Sequence, residues 1–219
     1  MRKLISLLLA LVMIVSLCVP VFAEPDPDEI ELVTFTDVKE SAWYYESVTL
    51  AATAGIVNGV GNGKFDPNGT VTRGQLVTML YRIAGGDDEL EVEFKGTFSD
   101  VKPDQYYSNA VEWAADWGIV NGVGNGKFDP NGKITREQLA TILYRTVEEP
   151  EVSSNLNSFP DSKKVSSYAR NAMIWALESG IMTGSKDAGT IYLRPQNTAT
   201  RAEAATMLIR FIIWVMSEE

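Results

Sequence analysis

The sequence predicts an all-α protein made of three intertwined copies of one helix-loop-helix unit. Three observations carry this. The stretch GIVNGVGNGKFDPNG stands at residues 55–69 and again, letter for letter, at 118–132. A shift of 63 positions also relates Phe35-Thr36-Asp37-Val38 to Phe98-Ser99-Asp100-Val101, Arg73 to Arg136 and Tyr81 to Tyr144. A third, diverged copy opens at Phe159-Pro160-Asp161, passes through Trp175-Ala176 and Gly180-Ile181, and ends with Thr200-Arg201-Ala202-Glu203 and Leu208.

The elements follow in order. Arg2 and Lys3 precede an apolar run from Leu4 to Val19, and Val21-Phe22-Ala23 gives a small-x-small cleavage site. Residues 1–23 read as a secretory signal peptide. A membrane anchor is the alternative, but the run is short for a span and the acidic, proline-containing Glu24-Pro25-Asp26-Pro27 follows at once. Cys18 suggests a lipoprotein signal, but Leu17 before it is too bulky for a good one. Residues 24–33 form an acidic linker, and the copies take residues 34–84, 98–147 and 159–216. Between them lie linkers 85–97 and 148–158, read as solvated connectors from Gly85-Gly86-Asp87-Asp88-Glu89 and from Glu148-Glu149-Pro150-Glu151 running into Ser153-Ser154-Asn155.

Each copy reads as helix, loop, helix. In the second copy Tyr107, Ala110, Val111, Ala114 and Trp117 recur at three- and four-residue steps, which predicts one apolar helical face. Gly118 stops that helix. The second helix opens at Thr72-Arg73-Gly74-Gln75, Thr135-Arg136-Glu137-Gln138 and Thr200-Arg201-Ala202-Glu203. All three match a capping box, with Thr at the N-cap and Gln or Glu at the third helical position. Leu76, Met79, Leu80 and Ile83, and likewise Leu139, Ile142, Leu143 and Thr146, continue it. The last helix runs on through Phe211-Ile212-Ile213-Trp214 toward Met216. The third loop is longer: Gly180 to Arg201 spans 21 positions, against 18 in the other copies. One unit of about 50 residues buries too little apolar surface alone, so the three are expected to share one core.

Composition removes many chemistries. The net charge is −10, and loss of residues 1–23 takes away two bases and no acid, leaving −12. A chain this acidic does not suit nucleic acid or anionic lipid. It has no histidine, and its one cysteine is Cys18. A Ser-His-Asp triad, a Cys-His dyad and zinc hydrolysis are therefore excluded, and carboxylate-pair catalysis is the enzymatic option left. The duplicated loop is no P-loop, because Phe65 and Phe128 follow its lysines where Ser or Thr is needed. Nor is it an EF-hand loop, since one Asp and one Asn flank a Pro in each Asp-Pro-Asn-Gly turn. No metal and no cofactor are expected.

The pattern F-x-D-V, then A-x-x-x-G-I-V-N-G, then G-x-F-x-P-x-x-x-[IV]-T-R-x-[EQ] and L-Y-R resembles the S-layer homology (SLH) repeat, over about residues 34–216. The resemblance implies a pseudo-threefold helical bundle with three grooves between repeats. It implies a secreted bacterial protein that binds secondary cell-wall polysaccharide without covalent attachment, often through a pyruvylated amino sugar. It makes the arginine of T-R-A-E the chief binding residue, here Arg73, Arg136 and Arg201. Other surface-layer proteins are possible partners under the same resemblance.

The residues suggest how such binding would work. Each arginine stands at a helix start, where free backbone N–H groups and the helix dipole favour an anion, and a guanidinium adds a fork suited to a carboxylate. Internal pairing with a repeat's own or neighbouring Asp is the other reading, and both can hold. Asp37, Asp100 and Asp161 either accept sugar hydroxyls or cap a turn. Trp43, Tyr106 and Tyr168 either stack on a sugar ring at a groove edge or pack in the core. Asn58-Gly59 and Asn121-Gly122 are further candidates for sugar contacts. The first and second copies have Gly74-Gln75 and Glu137-Gln138 where T-R-A-E is usual, which changes groove polarity. The third replaces V-N-G by Met182-Thr183-Gly184. Competing functions are a wall-glycan-acting enzyme, opposed by three units that account for all residues after the signal, and a calcium-dependent scaffold or adaptor.

Overall fold

The computed structural model describes residues 31–218. The expected signal peptide 1–23 and the expected linker residues 24–30 lie outside the described residues. The elements are α1 (Tyr45–Thr53), α2 (Arg73–Ile83), a single turn α3 (Gly86–Glu89), α4 (Ser108–Asp116), α5 (Arg136–Thr146), α6 (Arg170–Glu178), strands β1 (Ser185–Asp187) and β2 (Thr190–Tyr192), and α7 (Arg201–Ser217). The fold is mostly helical, with one two-stranded hairpin. Among the described residues no helix is long and apolar enough to cross a membrane.

The local signals act where the sequence places them. Thr72, Thr135 and Thr200 are N-caps in full capping boxes, closed by Gln75, Gln138 and Glu203. Gly118 follows the C-cap of α4 with φ 68°, a left-handed conformation that glycine adopts without a Cβ penalty. Trp117 departs from the predicted apolar face. It is the C-cap and is 65% exposed, because the chain has already left the helix there. The extra length of the third loop folds back on itself as β1–β2, with Lys186 opposite Ile191.

The helices pack between repeats in a cycle. The second helix of each repeat lies on the first helix of the next: α2 on α4, α5 on α6, and α7 back on α1. The two helices of one repeat thus form a splayed pair, not a self-packed hairpin. At the centre, a short extended segment precedes each capping threonine. There Val71 N–H donates to Ala199 O at 3.2 Å, Ala199 N–H to Ile134 O at 2.9 Å, and Ile134 N–H to Val71 O at 2.9 Å. These three bonds close a ring about the pseudo-threefold axis. Val71, Ile134 and Ala199 are all fully buried, so each polar backbone group finds its partner inside the ring. The core is one continuous cluster reaching from Val38 to Ile212.

The linkers are more fixed than solvated connectors would be. Asp87 in α3 accepts from Tyr81 OH at 3.0 Å and from Asn109 Nδ2 at 2.8 Å. Tyr144 OH donates to Pro150 O, and Glu178 accepts from the backbone N–H groups of Ser153 and Ser154. Acidic residues here tie a linker to the helices beside it.

Candidate functional site

The starts of α2, α5 and α7 are not open anion sites. Arg73 N–H donates to Gly132 O at 2.8 Å and Gly74 N–H to Pro130 O at 2.9 Å. Arg136 and Glu137 donate likewise to Asn197 O and Pro195 O, and Arg201 and Ala202 to Gly69 O and Pro67 O. The capping threonine takes the third N–H. The helix-start donors that the sequence reading left for a ligand are thus consumed by the Pro-containing turn of the next repeat. That is the physical work of the Asp-Pro-Asn-Gly turn.

The arginine side chains cross to the same neighbour. Arg73 Nε donates to Phe128 O at 2.8 Å and Nη2 to Asn121 O at 3.0 Å, while its guanidinium lies 4.6 Å from the Phe128 ring centroid. Arg201 repeats this with Phe65 O at 2.7 Å, Asn58 O at 2.6 Å and the Phe65 ring at 4.5 Å. Arg136 donates Nε to Leu193 O at 3.0 Å, but its Nη1 pairs with Glu203. All three arginines are buried. Burial pushes the Arg73 and Arg201 guanidinium groups below their ordinary range, against nearby Asp129 and Asp66. Arginine stays charged through such a shift. Among the described residues, Nη1 of Arg73 and of Arg201 has no hydrogen-bond partner, so each buried cation keeps donors to offer.

Asp37, Asp100 and Asp161 act as loop clamps. Asp37 accepts from Phe65 N–H and Asp66 N–H, both at 2.8 Å, and Asp100 accepts from Phe128 N–H and Asp129 N–H at the same distance. Asp161 holds Leu193 N–H at 2.9 Å and Arg194 N–H at 2.7 Å. Desolvation acts to raise the Asp37 and Asp100 carboxyls, but the paired N–H donors outweigh it and hold both below the usual aspartate value. Each Asp fixes the carbonyl of Phe65, Phe128 or Leu193 that the neighbour's arginine then uses. The two residue types therefore form one relay across the repeat boundary.

Two grooves result, each lined by residues of all three repeats, and the corresponding residues of the first repeat mark a third position. Groove 2 is lined by Asn121 and Gly122 of its own loop, by Gln138, Thr141 and Arg145 on α5, by Arg73 from the first repeat and by Tyr168 from the third; its volume is about 450 Å³. Groove 3, about 420 Å³, takes Thr183, Gly184, Glu203 and Arg210 from the third repeat, Arg136 from the second and Trp43 from the first. Groove 1 follows by the same symmetry from Asn58, Gly59, Gln75 and Arg82, with Arg201 seated on Asn58 O and Tyr106 beside Thr78 and Arg82. Trp43, Tyr106 and Tyr168 are 65%, 62% and 53% exposed, which puts them at groove edges and not in the core.

Asn58 and Asn121 give their backbone carbonyls to the inner arginines. With the amide oxygen turned to the arginine, their side chains accept from Arg82 at 3.3 Å and from Arg145 at 3.2 Å. Gly59 and Gly122 are required by close approach: a Cβ on Gly122 would stand 2.5 Å from Lys127 O and 2.9 Å from the Phe98 ring. Sequence reasoning missed the outer arginines Arg82, Arg145 and Arg210. Their signal was the L-Y-R motif, Leu208-Ile209-Arg210 in the third copy, which puts them on one helical face with Gln75, Gln138 and Glu203 seven positions earlier.

Comparison with known proteins agrees with this architecture. A family model described as the S-layer homology domain, SLH, matches three times, at residues 34–77, 97–140 and 158–205. An amylopullulanase of Thermoanaerobacterium thermosulfurigenes is 35% identical over 179 residues, covering 80% of this chain and 9% of that protein. Exoglucanase XynX of Acetivibrio thermocellus is 34% identical, covering 80% of this chain and 16% of its own length. The surface-layer 125 kDa protein of Lysinibacillus sphaericus is 32% identical, with 80% and 14% covered. The chain therefore spans a small part of these relatives, and the enzymes among them match through the SLH region. The chain belongs to the S-layer homology domain family and carries three tandem SLH domains.

Proposed function

We infer that this chain is a non-catalytic wall-binding module that holds a secreted protein on the bacterial cell surface by binding secondary cell-wall polysaccharide in its inter-repeat grooves. The observation that carries the reading is the recurrence of one chemical set, a buried arginine, an outer arginine and an exposed aromatic ring, around grooves 2 and 3 and, through Asn58, at the matching position of the first repeat. A carboxylate, such as a pyruvate ketal on an amino sugar, suits the two guanidinium groups. The aromatic ring offers an apolar face for the sugar. The polar groove floor of Gln138, Thr141 and the Asn121 amide suits hydroxyl and amide groups. Relatives described as surface-layer and cell-surface proteins share the same region and support a place at the cell surface.

The test is binding of the chain to purified wall polysaccharide before and after chemical removal of pyruvate, followed by calorimetry or co-sedimentation. Retention of the intact polymer with loss of the stripped one is expected. Equal binding to both would remove the carboxylate–arginine mechanism, and release of reducing ends during incubation would bring back the enzyme reading.

A further inference from the structure

The three groove aromatics are not held alike. Under Tyr106 lies Tyr107, edge to face with ring centroids 4.9 Å apart, and under Trp43 lies Tyr44 in the same arrangement at 5.1 Å. The third repeat has Ala169 at that position, so Tyr168 has no ring beneath it. The facing helix start compensates. Gly74 faces Tyr107, whose ring would lie 3.2 Å from a Cβ there. At the corresponding helix start of the second repeat stands Glu137, whose side chain reaches Ser166 and Tyr168 on the segment that carries Ala169.

Glu137 is 2% exposed and is held by neutral donors. Its carboxylate accepts from Ser166 N–H at 3.0 Å, Ser166 OH at 2.7 Å, Gln196 Nε2 at 2.8 Å and Tyr168 OH at 3.2 Å. A buried carboxylate with no paired cation is costly unless hydrogen bonds saturate it. Four donors from the third repeat supply that here. The phenol is the one of the four that also borders groove 2.

We propose that Glu137 is a positioning residue for groove 2. It fixes the Tyr168 ring against the groove beside Arg73, and it occupies the phenol proton so that the oxygen faces a ligand as an acceptor. Groove 2 then asks for a sugar hydroxyl or amide donor next to the carboxylate that Arg73 and Arg145 take. Groove 1, whose Tyr106 OH has no such partner among the described residues, and groove 3, whose Trp43 has no hydroxyl, do not impose that demand. The three sites therefore differ in the sugar they prefer. The inference rests on the reading of the grooves as polysaccharide sites. The charges around the Tyr168 phenol agree with it. Burial, together with Glu137, pushes the phenol up to about 12, while Arg73 and Arg145 act the other way.

The experiment titrates the full chain with the methyl glycoside of a 4,6-pyruvylated N-acetylhexosamine. The backbone amides of Gly59, Gly122 and Gly184 are followed by NMR as reporters of grooves 1, 2 and 3. Glu137→Gln should weaken binding at Gly122 about tenfold and leave Gly59 and Gly184 unchanged. Tyr168→Phe should weaken Gly122 too, and the double variant should be no weaker than Tyr168→Phe. Spectrophotometric titration of Glu137→Gln should show one phenol moving down toward its ordinary value while the melting temperature and near-UV circular dichroism stay at wild type, which separates loss of the carboxylate from general loosening of the fold. Wild-type affinity at Gly122 in Glu137→Gln overturns the proposal, and so does equal weakening at all three reporters. If Gly122 alone never responds, the positioning role falls and the module reading stands. If no reporter responds, both fall.

Discussion

Arg73 and Arg136 occupy the same position of the fold and are seated differently. Arg73 lies on the Phe128 ring and gives two N–H groups to backbone carbonyls. Arg136 has Leu193 where the others have phenylalanine and Thr183 where they have asparagine, and it turns Nη1 to Glu203. One cation is held by dipoles and a ring face and keeps its full charge toward the groove. The other is held by a carboxylate that is 20% exposed, so the buried charge of groove 3 is already matched from within. The comparison teaches that conservation of an arginine position does not conserve its electrostatic role. The neighbour's loop decides it. Groove 3 also contains the buried Thr206 hydroxyl, which has no partner among the described residues, whereas Thr78 and Thr141 bond back to their own helices.

Four experiments test that difference, in order of expected effect. Phe128→Ala removes a fully buried ring and the floor under Arg73, and should cost about 3–5 kcal/mol in chemical denaturation. Phe128→Leu, which copies the third repeat, should cost well under half of that. Second, Arg201→Lys should lose about 1–3 kcal/mol, because an ammonium cannot serve two carbonyls and stack on Phe65 at once. Arg136→Lys keeps an ion pair with Glu203 and should cost less; the reverse order would break the comparison. Third, Glu203→Gln keeps the capping box but leaves the buried Arg136 without its carboxylate, and should cost about 1–2 kcal/mol. It should nonetheless raise groove 3 affinity for a carboxylate-bearing sugar about tenfold, or about 1.4 kcal/mol, with Gln138→Glu doing the opposite in groove 2. Fourth, acid should act on the clamps. Asp37 and Asp100 titrate below their ordinary value when folded, so their contribution is present above the unfolded aspartate pKa and is lost as pH falls through the folded one. Hydrogen exchange at the Phe65 and Phe128 amides should accelerate over that acid window and stay flat above it.

Much of the fold was legible because its signals are local. Capping boxes, helix periodicity and the glycine after α4 need only a few neighbouring residues. Trp117 was misplaced because periodicity does not say where the last turn ends. The chemistry of the arginines was illegible for a different reason. Their partners lie 48 to 55 residues away for Arg73 and 136 to 143 for Arg201, in the loop of another repeat. The repeat alignment shows equivalent residues but not which copy faces which. The same ignorance hid the role of Glu137, whose partners Ser166, Tyr168 and Gln196 lie across a repeat boundary. The outer arginines were missed because attention fell on the helix start, although their spacing from the capping residue was visible.

The hydrogen-bonded ring of Val71, Ile134 and Ala199 closes only when its last member arrives. Until the C-terminal helix has been delivered, α1 lacks its packing surface and the first loop lacks Arg201. Closing a contact over such a sequence distance is slow compared with forming a helix. The chain therefore completes itself late and all at once. A fragment of two repeats would have an open seam in place of a smaller finished module, and the surroundings of Asn58 would be the last part of the molecule to exist.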